Sequence, residues 1–258
     1  MKAGLCSITF RKLVPAEIVA LTAKAGLSGI EWGGDVHVPH GNLAAARAVR
    51  GMTQDAGLRV SSYGSYYRAA ESEREGLTFG CVLDSARELG APCIRVWAGR
   101  KGSAQADTAY REGVVRDLQR IGIAAAAAKV KVALEWHGGT LTDRLDSAVR
   151  LMDEVRHPNV YFYWQAATDI DVAACLAGLT QVLPQVANVH VFHWRSNLGG
   201  PDRRPLAEGA AVWQKYLSIL RHGGEDRWCL MEFVSGDLPA QFLEDARVLR
   251  TWVEGEQS

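Results

Sequence analysis

Ala23-Lys-Ala-Gly26-Leu-Ser-Gly-Ile-Glu31-Trp32 decides the fold. A helical stretch stops at a glycine, which tolerates the left-handed conformation that closes a helix, and a short apolar strand begins at once. The same plan recurs in Gln54-Asp-Ala-Gly57-Leu-Arg-Val-Ser-Ser-Tyr63 and in Arg87-Glu-Leu-Gly90-Ala-Pro-Cys-Ile-Arg-Val-Trp97. Working outward from these three segments places strand candidates at 2 to 9, 28 to 32, 58 to 63, 92 to 97, 131 to 135, 159 to 165, 187 to 192 and 228 to 234. Helix starts lie between them: Pro15 in a first turn, Asn42 as an N-cap, and Pro239 ahead of Gln-Phe-Leu-Glu. Eight strands alternating with helices predict an α/β fold, a closed (β/α)8 TIM barrel occupying residues 1–258 as one domain. A doubly wound open sheet is the competitor. It is disfavoured because Ser7-Ile-Thr-Phe-Arg-Lys12, after the first strand, lacks the glycine-rich nucleotide fingerprint. The alanine run from Ala124 to Ala128 suits a helix packed closely on the barrel.

Charge balances at 29 basic and 29 acidic residues, so there is no diffuse positive field to hold a nucleic-acid backbone. No apolar run approaches the length of a membrane span, and the amino terminus turns polar at Arg11-Lys12 before a signal-peptide core could form. The five cysteines, Cys6, Cys81, Cys93, Cys175 and Cys229, are odd in number and far apart, and read as buried free thiols. A cytoplasmic protein without nucleic-acid or membrane partners is expected, and a homo-oligomer is compatible with the sequence.

In a parallel barrel the chemistry gathers where strands reach their carboxyl ends. Two strands end there with an acid: Val132-Ala-Leu-Glu135-Trp-His137 and Trp228-Cys-Leu-Met-Glu232. A carboxylate buried in an apolar strand costs several kcal/mol unless a metal, a partner charge or hydrogen bonds compensate it. On the seventh strand, alternation sends Val189 and Val191 toward the helices and leaves His190 facing the interior. Glu135, Gln165, His190 and Glu232 thus come from four successive strands and can converge on one divalent cation, with manganese, cobalt, magnesium or zinc all compatible. The competing reading gives each acid a local arginine and leaves the histidine as a satisfied core group.

Other polar groups surround this set. Glu31, Asp35, His37 and His40 follow the second strand; Tyr63, Tyr66, Tyr67 and Arg68 follow the third; Trp97 and Arg100 follow the fourth. Tyr66 and Trp97 are candidates for an apolar wall against which a sugar ring packs. His193 is a further substrate-contacting candidate, and His37-Val-Pro-His40 has a spacing compatible with a substrate contact, a second metal or a plain loop. Arg100-Lys101-Gly-Ser103 could meet a phosphate or be solvated surface.

With these residues in view, the chain resembles the xylose isomerase-like barrel superfamily, which includes sugar-phosphate isomerases and epimerases and the endonuclease IV type of nuclease. The likeness covers nearly the whole chain. Its most specific parts are Gly-Ile-Glu31-Trp-Gly-Gly-Asp-Val-His37-Val-Pro-His40, Ile-Arg-Val-Trp97, Ala-Leu-Glu135-Trp-His137-Gly-Gly-Thr-Leu-Thr-Asp143, Tyr-Trp-Gln165, Asn-Val-His190-Val-Phe-His193 and Met-Glu232-Phe-Val. In the epimerase branch, strands five to eight supply Glu, Asp, His and Glu to one divalent metal, which implies Glu135, Gln165, His190 and Glu232 here. Gln165 departs from that pattern, a neutral amide in place of an acid, so weaker metal affinity is expected. His193 departs as well, standing where many relatives carry an acid.

The resemblance implies a small-molecule carbohydrate substrate and a proton taken from the carbon beside a carbonyl, with Glu135 and Glu232 as the catalytic pair and His37, Tyr66, Arg68, Trp97, His137 and His193 as substrate-binding residues. Return of the proton to the other face would be epimerisation, and return to the neighbouring carbon aldose to ketose isomerisation. A lyase or dehydratase is the alternative, in which a β-hydroxyl is expelled and His193 or His37 serves as its acid. A non-catalytic sugar-binding barrel is the third, with Gln165 as its best support. A nuclease is disfavoured by the neutral charge and the shortage of extra metal ligands.

Overall fold

Gly26, Gly57 and Gly90 take up φ between +69° and +76°, and a strand follows each of them. The structure, a computed structural model, describes residues 1–254 apart from 168, 198, 199, 224 and 225. Eight parallel strands close into a barrel: β1 (Lys2–Cys6), β2 (Gly29–Gly33), β3 (Arg59–Arg68), β4 (Cys93–Trp97), β5 (Lys131–Glu135), β6 (Val160–Trp164), β7 (Val186–Val191) and β10 (Trp228–Met231), the last pairing back onto β1. Around them lie α1 (Pro15–Lys24), α2 (Leu43–Asp55), α3 (Phe79–Leu89), α4 (Thr108–Ala127), α5 (Leu145–Val155), α6 (Val172–Val182), α7 (Ala210–His222) and α8 (Pro239–Glu254). The helix starts follow the sequence: Pro15 and Pro239 open α1 and α8, and the Asn42 side chain accepts a hydrogen bond from the Ala45 N–H at 3.0 Å. Among the described residues no helix is long and apolar enough to cross a membrane.

Three strand ends differ from the sequence expectation by more than one residue, and one hairpin is added. β1 ends at Cys6, and Ser7–Phe10 form a 3₁₀ turn instead of continuing the strand. Ser7 is the cause: its hydroxyl takes the Gly33 N–H at 2.9 Å and pairs with His37 Nδ1 at 2.9 Å, which draws the chain out of the ladder. β3 runs on to Arg68 across a register shift against β4 between Gly64 and Tyr67, and Tyr66 within it has φ +54°. β10 stops at Met231, so Glu232 is the first residue beyond the strand. An antiparallel hairpin, β8 (Trp194–Asn197) with β9 (Gly200–Arg203), was not expected, since Trp-Arg-Ser-Asn-Leu-Gly-Gly-Pro-Asp-Arg carries no apolar alternation. The thiols are all free, but Cys81 is half-buried and not part of the interior.

Two apolar layers form. The larger lies between strands and helices and includes Val189 and Val191, as their alternation required, and Ala125 of the alanine run. The smaller fills the barrel itself: Cys93, Ala133, Tyr163, Ala187, Trp228 and Leu230. Trp228 plugs the amino end of the strands, and Gly29 makes room for it, because a β-carbon there would fall 2.6 Å from the indole ring. Each large apolar side chain buried in this way contributes about 1.5 to 3 kcal/mol.

Candidate active site

Alternation along β4 turns Cys93, Arg95 and Trp97 inward and Ile94 and Val96 outward, so an arginine enters the barrel. Its guanidinium is 1% exposed and grips two carboxylates. Nε donates to Glu31 Oε1 at 2.7 Å, and Nη1 donates to Glu135 Oε2. The remaining nitrogen, Nη2, has no hydrogen-bond partner among the described residues. Gly64 is required beside the pair, because a β-carbon there would lie 2.7 Å from Glu31 Oε1 and 2.8 Å from Arg95 Nη2.

Glu31 carries further donors on its other oxygen. Tyr163 donates to Oε2, Ser62 does so at 3.3 Å, and His190 Nε2 lies 3.1 Å away. Burial opposes ionisation, but Arg95, His190 and Tyr163 outweigh it and hold the Glu31 carboxyl well below the usual carboxylate range. The other face of the imidazole meets oxygens only: Nδ1 is 3.1 Å from Gln165 Oε1, 3.4 Å from Glu232 Oε2 and 3.9 Å from Glu135 Oε1. Burial works against the charge on His190, and Glu232 and Glu31 more than restore it, so its pKa is raised. Burial pushes the Glu232 carboxyl up against the pull of His190, with the charge of Glu135 adding to the rise.

Ligand atoms of Glu135, His190 and Glu232 all lie within 4.8 Å of one another. That is the spacing of one coordination shell: a proton on Nδ1 satisfies these oxygens in the protein alone, and a divalent cation could take the place of that proton. Hard oxygen donors with one imidazole fit a divalent ion such as manganese, magnesium or zinc, and Gln165 offers a fourth, neutral donor. The four residues brought together from sequence are therefore together in space.

Around Trp97 the structure gathers four of the substrate-binding candidates. The Trp97 indole N–H donates to Glu135 Oε2, the same oxygen that Arg95 holds. His137 stacks on the Trp97 ring at 4.5 Å, the Arg68 guanidinium lies 4.7 Å from its centre, and Tyr66 leans against it at 5.8 Å. His137 Nδ1 is paired with the Gly138 carbonyl at 2.6 Å, and the half-buried ring lines a cavity of about 370 Å³ with Gln165, Trp136 and Phe192. Arg11, unremarkable in sequence, reaches this group by donating to the Tyr66 hydroxyl at 3.0 Å.

His37, His40 and His193 stand elsewhere. His37 is buried against Trp32 and tied to Ser7, while His40 pairs with the Tyr63 hydroxyl at 2.8 Å, so this spacing does not form a metal pair. His193 packs against Gly209, and its carbonyl accepts from the Arg204 N–H at 2.8 Å. In these positions neither His37 nor His193, each a candidate leaving-group acid from sequence, hydrogen-bonds to Glu135, His190 or Glu232 among the described residues. Arg100 is engaged with Glu75 at 2.7 Å on the surface. Sequence reasoning passed over Arg95, Tyr163 and Ser62 as site residues and left Glu31 without a role. The signal for Arg95 was present, a lone charge inside the apolar run Cys93-Ile-Arg-Val-Trp97.

Comparison with known proteins agrees with this fold. The family model described as xylose isomerase-like TIM barrel matches residues 19–252. A 3-dehydroshikimate dehydratase from Bacillus anthracis is 29% identical over 173 residues, 62% of this chain and 60% of that protein, so the chain spans about three fifths of the length of the curated relative it matches. Among solved structures, the probable 3-DHS dehydratase of petrobactin synthesis from Bacillus anthracis superposes with a TM-score of 0.80 at 24% identity, covering 96% of this chain and 98% of that one. The 3-keto-D-glucoside 4-epimerase from E. coli superposes with a TM-score of 0.73 at 17% identity, covering 96% and 98%. At these identities the two structures speak to the fold.

Proposed function

Since this chain belongs to the xylose isomerase-like TIM barrel family, we propose that it is a divalent-metal-dependent lyase that removes a proton beside a carbonyl of a small polyhydroxylated ring and releases a β-hydroxyl as water. The observation that carries the reading is the convergence of Glu135, His190 and Glu232 at the carboxyl end of three strands, with ligand atoms within 4.8 Å. A bound divalent ion would supply electrostatic stabilisation of the negative charge that develops on the carbonyl oxygen.

The protein residues divide the remaining work. Glu135 has one oxygen held by Arg95 and Trp97, which fixes its direction. Among the described residues Glu232 has no such clamp, and His190 Nδ1 at 3.4 Å is its ion-pair partner, so it is the better group to take the carbon-bound proton. His137 donates its Nδ1–H to the Gly138 carbonyl, so Nε2 is the nitrogen left for the cavity, and the doubly protonated ring would give its Nε2 proton to a departing hydroxyl. The C–H electron pair then forms the new double bond as the C–O bond breaks, and the hydroxyl leaves as water. Tyr66, Arg68 and Trp97 form the wall on which the ring rests.

The named dehydratase relative favours elimination over reprotonation. A second reading, an isomerase or epimerase, is favoured by Glu135 and Glu232 both flanking the position in front of His190 Nδ1, which allows a proton to leave by one acid and return by the other. Protein reconstituted with manganese and offered 3-dehydroshikimate and a panel of ketoses and inososes separates the two. Elimination yields a conjugated ultraviolet chromophore and loss of water, isomerisation conserves mass, and binding without turnover of any member would leave a sugar-binding barrel.

A further inference from the structure

His190 is held by both ring nitrogens, and the two sides differ in kind. On the Nδ1 side stand the oxygens of Gln165, Glu232 and Glu135; Nε2 meets Glu31 at 3.1 Å, with the Cys6 thiol within 4.8 Å of the pair. We infer that Glu31 is a positioning residue that keeps a proton on His190 Nε2 and thereby aims the Nδ1 lone pair at the place where Glu135 and Glu232 converge. The inference rests on reading Glu135, His190 and Glu232 as ligands of one ion.

An ionised carboxylate only accepts hydrogen bonds. Glu31 is ionised by its surroundings: Arg95 Nε on Oε1 at 2.7 Å, with Tyr163 and Ser62 both donating to Oε2. The Ser62 and Tyr163 hydroxyls lie side by side at that oxygen, 3.0 Å apart. With every other group at Oε2 a donor, the imidazole must donate as well, and its proton resides on Nε2. Such a carboxylate behind a metal-binding histidine sets the tautomer, fixes the ring and raises its basicity, and its loss typically costs about 10- to 100-fold in metal affinity. Gly64 keeps the space that allows Arg95 to reach Glu31, so the backbone of β3 is part of the same device. Glu31 therefore does more than neutralise Arg95, a duty that Glu135 shares.

Long-range ¹H–¹⁵N correlation spectroscopy of ¹⁵N-histidine protein reads the proton directly. In the parent, with and without zinc, Nε2 of His190 is expected to stay protonated, and zinc to move the Nδ1 resonance alone. Zinc titration of Glu31→Gln should then show about a 10- to 100-fold loss of affinity, while Tyr163→Phe, which spares the contact between Glu31 and His190, retains most of it. An unprotonated Nε2 in the parent would overturn the inference even if Glu31→Gln fails to fold, and so would an equal loss in both variants or unchanged affinity in Glu31→Gln. A parent that takes up no zinc but keeps the Nε2 proton would refute the metal-dependent function instead, leaving Glu31 as the group that sets the tautomer.

Discussion

Arg95 and Glu31, 64 residues apart on neighbouring interior positions, form a salt bridge of 2.7 Å that is closed to solvent on both sides. The same guanidinium serves Glu135, so one buried cation compensates two buried carboxylates. Removing one partner of such an arrangement leaves uncompensated charge in the interior. Arg95→Met should therefore cost about 3 to 5 kcal/mol of stability in urea denaturation; a loss under about 1 kcal/mol would place the pair in the range of a solvated surface ion pair.

The proposed metal shell can be dissected by composition. Glu135→Ala, His190→Ala and Glu232→Ala should each abolish stoichiometric uptake of manganese or zinc, measured by elemental analysis, while circular dichroism still reports a folded barrel. A triple variant that binds metal as well as the parent would remove these residues from the site.

Gln165 is the neutral member of the proposed shell, 3.1 Å from His190 Nδ1. Gln165→Asp adds an anionic oxygen, and a charge-assisted contact of roughly 1.5 to 3 kcal/mol corresponds to an increase in affinity of about tenfold or more. Isothermal titration decides this, and unchanged or weaker affinity would mean that residue 165 does not face the ion.

The barrel was legible because helix-stopping glycines and apolar strands are local signals, repeated from Gly26 to Gly90. Glu135, His190 and Glu232 were legible for a related reason, since each interrupts an apolar strand with a group that needs compensation. Their compensating partners were harder to name. Arg95 and Glu31 interrupt their strands in the same way, but which acid an interior arginine meets depends on register around a closed sheet, including the shift between Ile30 and Glu31 against β3. The end of β1 at Cys6 depended on the Ser7 contact to Gly33, 26 residues away, and the β8–β9 hairpin has no apolar pattern to announce it.

His37 offers a pH test of its structural place. Burial is the main cause that lowers its pKa from the ordinary 6.5, so the unfolded chain takes up a proton that the folded protein resists. Its contribution to stability is thus complete above about pH 6.5 and declines as pH falls below that value, by at most about 1.4 kcal/mol per pH unit. Replacing His37 with Gln should flatten the acid limb of the urea midpoint plotted against pH. Parallel curves for parent and His37→Gln would show that the folded protein accepts the proton freely.

Proton abstraction next to a carbonyl is the central claim, and the fate of one labelled hydrogen tests it most directly. A turned-over substrate carrying deuterium on the carbon beside its carbonyl, incubated with metal-loaded protein, should release that label to water, and Glu232→Gln should slow the release by at least about a hundredfold, the scale of a general base. Product in which the label remains on its carbon or has moved to the neighbouring one would contradict the account.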